Sequence, residues 1–437
     1  MHRRSRLLLQ VLLICFLVSL PSAKGKIIYV DDDGPADFNN IQAAIDDAND
    51  GDVVLIRPGT FTGDGNRDIY FRGKAITVRS EKGPEATIVD CENGGHGFYI
   101  MDNERAVARL QGLTIRNASF GAVKCYSSNP PRLVQSPTAS SLGVNLSDLR
   151  PGYAPIEISN CIIEGNPYGG ILMDGHDNVT VTGCTIARNE GAGVWSYMSF
   201  PTFRNCVIVE NEEHGLRATG ADVANCTIAA NGGMGLWLHE GNVVNSVLWA
   251  NRQDQFYSPH GRVEVTYCNI QGDLPGVGNI DAEPCFADPN SGDYHLKSQA
   301  GRWNPKSQSW IRDDVTSPCI DAGDPMSPIS HEPFPNGGII NMGAYGGTAE
   351  ASKSYHGRSV CETIIAGDIN GDCKVDSADF MIMAYHWLRD GTREQPHEQS
   401  RLADKKSVST SSKPPSSTAS AGTSAGSAGV VSTASTD

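Results

Sequence analysis

Between residues 160 and 270 the chain repeats itself every 20–23 residues, a spacing that few folds can accommodate. Asn160-Cys161-Ile162-Ile163, Gly183-Cys184-Thr185-Ile186, Asn205-Cys206-Val207-Ile208 and Asn225-Cys226-Thr227-Ile228 align directly. Asn245-Ser246-Val247-Leu248 and Tyr267-Cys268-Asn269-Ile270 continue the series with changes. The steps from Cys161 are 23, 22, 20, 20 and 22 residues. Five residues after the Cys or Ser stands an asparagine, at Asn166, Asn189, Asn211, Asn231 and Asn251. A glycine then opens an alternating run at Gly170-Ile171, Gly193-Val194, Gly215-Leu216 and Gly235-Leu236.

A period this short is a solenoid, because one repeat cannot enclose a core by itself. Val, Ile and Thr fill the repeats, Gly and Asn interrupt them, and no window sustains a helical period. Two or three short strands per coil, joined by tight turns, describe a parallel β-helix. Stacked coils place equivalent residues about 4.8 Å apart, so the asparagines become a ladder at one turn. Asn tolerates the left-handed backbone of a sharp turn, and its amide bonds up and down the stack. Cys161, Cys184, Cys206 and Cys226 share one repeat position and are expected as a buried ladder of free thiols, each a small hydrophobe. Parallel Cβ vectors about 4.8 Å apart are too far for a disulfide.

The first 25 residues read as an export signal: Arg3, Arg4 and Arg6, an apolar stretch from Leu7 to Leu20, and a small-x-small exit at Ala23-Lys24-Gly25. The chain is therefore expected to be exported, and no later apolar run is long enough for a membrane span. Formal charge is −15, and loss of those residues, with four basic side chains and no acids, leaves −19. That balance argues against nucleic acid as a partner and, more weakly, against a polyanionic substrate, unless a local patch or bound cations reverse the field. Twelve cysteines become eleven once Cys15 leaves with the signal.

Ile27–Val30 is the expected first strand. Phe38, Ile41, Ile45 and Ala48 then recur at helical spacing, with Asp37 available as a cap and Gly51 as a stop. A single amphipathic helix there would plug the open end of the core. Tyr29-Val30-Asp31, Ile41-Gln42-Ala43-Ala44-Ile45, Gly51-Asp52 and Pro58-Gly59-Thr60-Phe61 resemble the entry of the pectin-lyase-like right-handed β-helix superfamily. That resemblance covers residues 26–350, with cap and entry over 26–60. It implies a right-handed, all-β solenoid, in a superfamily of pectate lyases, polygalacturonases, pectin esterases, alginate epimerases and proteins without assigned activity. Leu113 to Cys161 is one coil too long, and the excess lies in 126–155, with five prolines and six serines, read as a loop thrown out from one coil. Over 279–350 the series Asn279–Pro284, Gly292–Leu296, Ser317–Gly323 and Met342–Gly346 resembles the closing segment of bacterial surface proteins called choice-of-anchor Q proteins. The resemblance implies a cell-surface or secreted module. Asp281, Asp293 and Asp321 are expected there as turn-formers.

Near the end, Asp368, Asn370, Asp372, Asp376 and Asp379 fall at positions 1, 3, 5, 9 and 12 of a loop whose seventh position, Lys374, offers a carbonyl. That is the ligand spacing of an EF-hand-type loop for Ca²⁺. Phe380, Met383, Ala384 and Trp387 then line one face of a following helix. With Asp at the last position, the stretch 361–390 resembles a single dockerin repeat, which implies docking to a cohesin-like or other cell-surface partner. It departs from that pattern in having one repeat instead of two and Cys373 where Gly is usual. A Cys361–Cys373 bridge would staple so small a unit. Residues 391–437 are Ser, Thr, Ala and Gly-rich and expected to be disordered.

Alternation along the strands that follow the glycines puts Ile171, Val194, Leu216 and Leu236 inward, hence Leu172, Trp195, Arg217 and Trp237 outward in one column. Asp174, Tyr197, Thr219 and His239 form the next column, and Tyr99 extends the first. Trp195, Tyr197 and Trp237 offer flat apolar faces for sugar rings, and Arg217 a partner for carboxylate or hydroxyl. Polysaccharide is thus the expected partner. For catalysis the candidates are Asp174, His176, Asp177, Arg217 and His239, the first three in a stretch with a faint likeness to the Asp-Pro-His-Asp motif of alginate epimerases. Two functions follow: a carbohydrate-binding or structural surface protein attached through a calcium loop, or a lyase, hydrolase or epimerase acting on uronate-containing glycans.

Overall fold

The computed structural model describes residues 25–101, 107–127, 155–176, 178–355, 367, 369 and 375–387. The export signal, most of the loop at 126–155, Asp177, Asp368, Asn370, Asp372, Lys374, Cys361, Cys373 and the tail at 391–437 lie outside the described residues. The chain falls into two compact units, 1–383 and 384–437.

The repeat folds as a parallel β-helix with three strands per coil. Coils in the middle of the stack run Val179–Thr182, Thr185–Ala187 and Ala192–Tyr197, then Thr202–Arg204 and Val207–Val209. Each strand pairs in parallel with its counterpart one coil away, as in Thr185↔Val207 and Val194↔Leu216. Strands like Thr185–Ala187 form a nine-stranded sheet of their own. The other two sets merge into a 16-stranded sheet, because Leu216–Ala224 and Leu236–Val244 run straight through a corner that earlier coils break. Ala108–Gln111 pairs directly with Ile156–Ser159, so the described strands on either side of residues 128–154 belong to adjacent coils. Tyr126 belongs to the strand Val123–Tyr126, so the excursion starts later than the composition implied.

The interior is one continuous apolar cluster from Ile28 to Ile270. Each coil supplies a branched residue from every strand and one small residue at the corner. Cys161, Cys184, Cys206, Cys226 and Cys268 fill that corner, fully buried, with Ser246 in the remaining place. All nine cysteines among the described residues are unbridged. Burial pushes the thiols of Cys184 and Cys226 well up, and that of Cys268 to about 12, so they are inert fillers.

The asparagine ladder forms at the next corner. The side-chain nitrogen of Asn166 donates to Oδ1 of Asn189 at 2.8 Å, Asn189 to Asn211 at 2.8 Å, Asn211 to Asn231 at 2.9 Å and Asn231 to Asn251 at 2.8 Å. Gln255 ends the series by accepting from Asn251 at 2.7 Å. Each Oδ1 also accepts the backbone N–H of the preceding ladder residue, and each Nδ2 also donates to an isoleucine carbonyl such as Ile186. The ladder asparagines are not the left-handed residues. Those stand one position earlier, at Gly165, Arg188, Glu210, Ala230 and Ala250. A second set of asparagines, Asn160, Asn205, Asn225 and Asn245, does take positive φ, just before the thiol corner. The strand-opening glycines have a different cause. A Cβ on Gly215 would stand 2.7 Å from Nδ2 of Asn231 and 2.7 Å from Cγ2 of Ile228, so only glycine leaves room for the ladder amide.

Helix α1, Ile41–Asp47, closes the N-terminal end with Ile41, Ala44 and Ile45 buried. Its cap is Asn40, whose side chain accepts from Ala43 N, and it stops at Ala48 before reaching Gly51. Asp37, expected as the cap, accepts from Tyr29 N instead, because Phe38 is held in a strand bridge to Val30. At the other end Leu274 packs against the core.

The closing segment turns back over the outside of the nine-stranded sheet. Ala187, Val207, Val209, Ala229 and Val247 face outward there and are covered by Phe286, Tyr294, Leu296, Ile320, Met342 and Ala344. The left-handed asparagines hold it: Asn205 donates to the carbonyls of Ala344 and Gly346, and Asn225 to that of Asn341. Asp281 accepts from Gly272 N and Asp321 from the Ser354 hydroxyl. Asp293, expected as a turn-former, is instead part of a buried ion cluster with Arg302, Asp313 and His295. In that cluster burial opposes charge on His295, but hydrogen bonds to Asp293 and Glu350 outweigh it and hold the imidazole's pKa above its ordinary value.

Replacing Asn211 with Ala removes one rung and strands the Asn189 amide and the Ile186 carbonyl in the core. Unfolding in urea is expected to show a loss of about 3 kcal/mol. Gly215→Ala is expected to destabilise as well, by forcing the ladder apart.

Candidate functional site

Register between coils decides which outward side chains become neighbours. Tyr99 pairs with Lys124, Lys124 with Leu172, Leu172 with Trp195, Trp195 with Arg217, and Arg217 with Trp237. Tyr70 extends the column at one end and Tyr257 at the other. Their inward neighbours Ile171, Val194, Leu216 and Leu236 are all fully buried. Eight consecutive coils therefore present Tyr, Tyr, Lys, Leu, Trp, Arg, Trp and Tyr on one face. At about 4.8 Å per coil, Trp195 and Trp237 stand about 10 Å apart.

Tyr70, Trp195 and Tyr257 are exposed to solvent, and Tyr99 and Trp237 are half-buried. Trp195 is 37% exposed and Tyr197 50% exposed, and the two rings stack at 6.1 Å with planes 9° apart. The Arg217 guanidinium lies 4.8 Å over the Trp237 ring, which it braces by a cation–π contact. Lys124 stands 5.3 Å from the Tyr99 ring in the same way. Leu172 departs from the pattern, since it is almost wholly buried.

The second column contains Asp174 paired with Tyr197, and His239 lies beyond it along the face. His239 packs edge-on against Trp237 at 4.3 Å and meets His260 at 4.8 Å. Burial, then the neighbouring His260 and Arg217, hold the His239 pKa below its ordinary value. His214, whose Nδ1 accepts from Met234 N, is lowered by burial and by Arg217. Both imidazoles are thereby biased toward the neutral form, and a second proton on His214 would displace the Met234 N–H bond at Nδ1. Asp174 is half-buried, and its carbonyl accepts from Ser127 N. His176 is fully buried, with its backbone N–H donating to the Ser199 hydroxyl. That burial removes it from the catalytic candidates, because no substrate reaches the ring.

Tyr70, Lys124, Tyr257, His96 and His260 belong to the same face, but the 20–23-residue period does not reveal them. Tyr70 and Tyr257 sit on two-residue strands, and Lys124 precedes the long excursion. Each of the three follows an inward apolar residue, Ile69, Phe256 or Val123, which is the signal that marks them.

Of the calcium-loop residues, Asp376 and Asp379 are described. The Asp379 carboxylate is buried and accepts from Ile369 N at 2.7 Å and Asp376 N at 2.8 Å. It thereby ties Ile369 and Asp376 to the first turn of helix α2, Ser377–Trp387. Phe380 and Trp387 on that helix are exposed.

The family model described as a right handed beta helix region matches residues 140–251. The chain is a right-handed parallel β-helix. Among solved structures, the β-helix is similar to pectate lyase Pel9A at 14% identity, over 74% of this chain and 96% of that one, with a TM-score of 0.47. It is similar to a pectin methylesterase from carrot at 13% identity, over 60% of this chain and 88% of that one, with a TM-score of 0.28. A rhamnogalacturonan lyase is matched at 13% identity, over 67% of this chain and 96% of that one, with a TM-score of 0.33. No curated protein matches the chain. Among the described residues, no helix is long and apolar enough to cross a membrane.

Arg217 depresses both His214 and His239, so Arg217→Ala is expected to raise the pKa of each in an NMR titration while leaving His96 unchanged.

Proposed function

We propose that the protein is an exported, non-catalytic β-helix that binds polysaccharide along the column from Tyr99 through Trp195 and Arg217 to Trp237. The observation that carries this is the alignment of outward rings on one solenoid face, with Trp195 exposed and Tyr99 and Trp237 half-buried in the same column. Aromatic faces at coil spacing match sugar rings succeeding one another along a polymer, and Arg217 supplies a donor fork between two of them. A second reading, a lyase, hydrolase or epimerase acting on uronate-containing glycans, is favoured by the neutral His239 imidazole beside Arg217. That pair would supply a base next to a cation able to neutralise a carboxylate.

The segment 361–390 is, in this proposal, a dockerin-like calcium unit. It attaches the β-helix to a cohesin-like or other cell-surface partner. The donors at Asp368, Asn370, Asp372, the Lys374 carbonyl, Asp376 and Asp379 are all oxygen, as Ca²⁺ requires. The buried Asp379 carboxylate at the head of helix α2 supports this reading, since an oxygen donor there stands at the last position of the spacing. The ion would supply the charge that holds these carboxylates together.

Two measurements test the proposal. A polysaccharide panel scored for retention and for new product ends is expected to show binding without turnover. Trp195→Ala and Trp237→Ala should each weaken retention about tenfold and together abolish it. Unsaturated uronate ends would instead support the lyase reading, and full retention by the double variant would remove the column from the site. In calorimetry, the full-length chain should take up one Ca²⁺ through this loop, and an Asp368→Ala/Asp372→Ala variant should lose that heat. An unchanged isotherm would sink the calcium loop.

A further inference from the structure

Four of the eight histidines among the described residues stand on the face that carries the aromatic column. His96 packs against Tyr99 at 5.5 Å and Phe120 at 5.9 Å. His214 lies three residues before Arg217, and His239 and His260 meet beside Trp237. The fixed cations within the column itself are Lys124 and Arg217, separated by three coil steps in the paired register. That separation is about 14 Å, beyond the screening length of about 8 Å at physiological salt, so alone they act as isolated points. His96 adjoins Lys124, His214 and His239 adjoin Arg217, and His260 packs against His239.

The carboxylates that face these groups are Asp68 by His96, Glu213 by His214, Glu240 by His239 and Asp174 by Tyr99. With neutral imidazoles, four carboxylates outnumber two cations and the face repels a polyanion. With His96, His214 and His239 protonated, five cations outnumber the four carboxylates, and the positive charge gathers beside Lys124 and beside Arg217. Burial, then neighbouring cations, hold His214 and His239 below the ordinary histidine value, and burial lowers His96. Protonation therefore comes on the acid side of neutrality, and an anionic ligand laid on the face would favour it.

We propose that these histidines make the face an acid-gated receptor for anionic glycans, which bind tightly when the imidazoles are charged and poorly when they are neutral. This rests on the glycan-binding role proposed above, and adds the charge of the ligand and the condition under which it is held.

The test uses the full-length chain with polygalacturonate and with its methyl ester, the same backbone without charge. Polygalacturonate is expected to bind about tenfold more tightly near pH 5 than near pH 7.5, while the ester changes by less than about twofold. In a His96→Gln/His214→Gln/His239→Gln variant the ratio of the two polygalacturonate affinities should fall to that of the ester, whatever the absolute affinity. Equal affinities at the two pH values in the wild-type chain would overturn the gating and leave glycan binding standing. So would an undiminished ratio in the triple variant. Absence of binding to either polymer at both pH values would remove the glycan role and the gating with it.

Discussion

Within one corner of the coil, an asparagine carbonyl oxygen receives both the backbone and the side-chain hydrogen of the asparagine in the coil before it. Each amide is then fully satisfied although it is buried, and a stranded amide in the same place would cost about 1–3 kcal/mol. A shift of one residue in any coil would break that chain of bonds and turn every side chain of its strand to the opposite face. Trp195 and Trp237 point outward in line because Asn189, Asn211 and Asn231 cannot slip. The glycines complete the arrangement, since Gly193 and Gly215 leave the space that the amides occupy.

Much of this was legible from the repeat. The period gave the ladder, the thiol corner and the outward column, because a stacked coil converts sequence spacing directly into spatial neighbours. The left-handed position was misplaced by one residue. Asn tolerates positive φ, but tolerance is no requirement, and Arg188, Glu210 and Ala230 accept it at a cost of about 1–2 kcal/mol each that the surrounding ladder bonds offset. The burial of His176 was not legible either, because it depends on a turn rather than on strand alternation. The lateral closing segment was hidden by distance: Asn205 meets Ala344 across 139 residues. Its trace was present in Val207-Ile208-Val209, an unbroken apolar run that signals a strand covered on both faces.

The outward face illustrates why total charge is a poor guide to a partner. The chain is acidic overall, at −15, yet Lys124 and Arg217 stand within a stripe otherwise made of rings and Leu172. Solenoids separate these scales well. Residues that determine the fold point inward or lie at corners, and the outward positions are free to vary in chemistry without disturbing the stack.

The tie between the left-handed asparagines and the closing segment changes how such a stack holds together. A bare solenoid is a one-dimensional array in which each coil touches only its neighbours, so an end can peel away one coil at a time. Here Asn205, Asn225 and Asn245 belong to three successive coils and grip a single returning segment. Peeling any of these coils requires releasing a strap that the other two still hold. The C-terminal half of the β-helix thus behaves as one cooperative block, with fraying confined to coils that lie outside the strap.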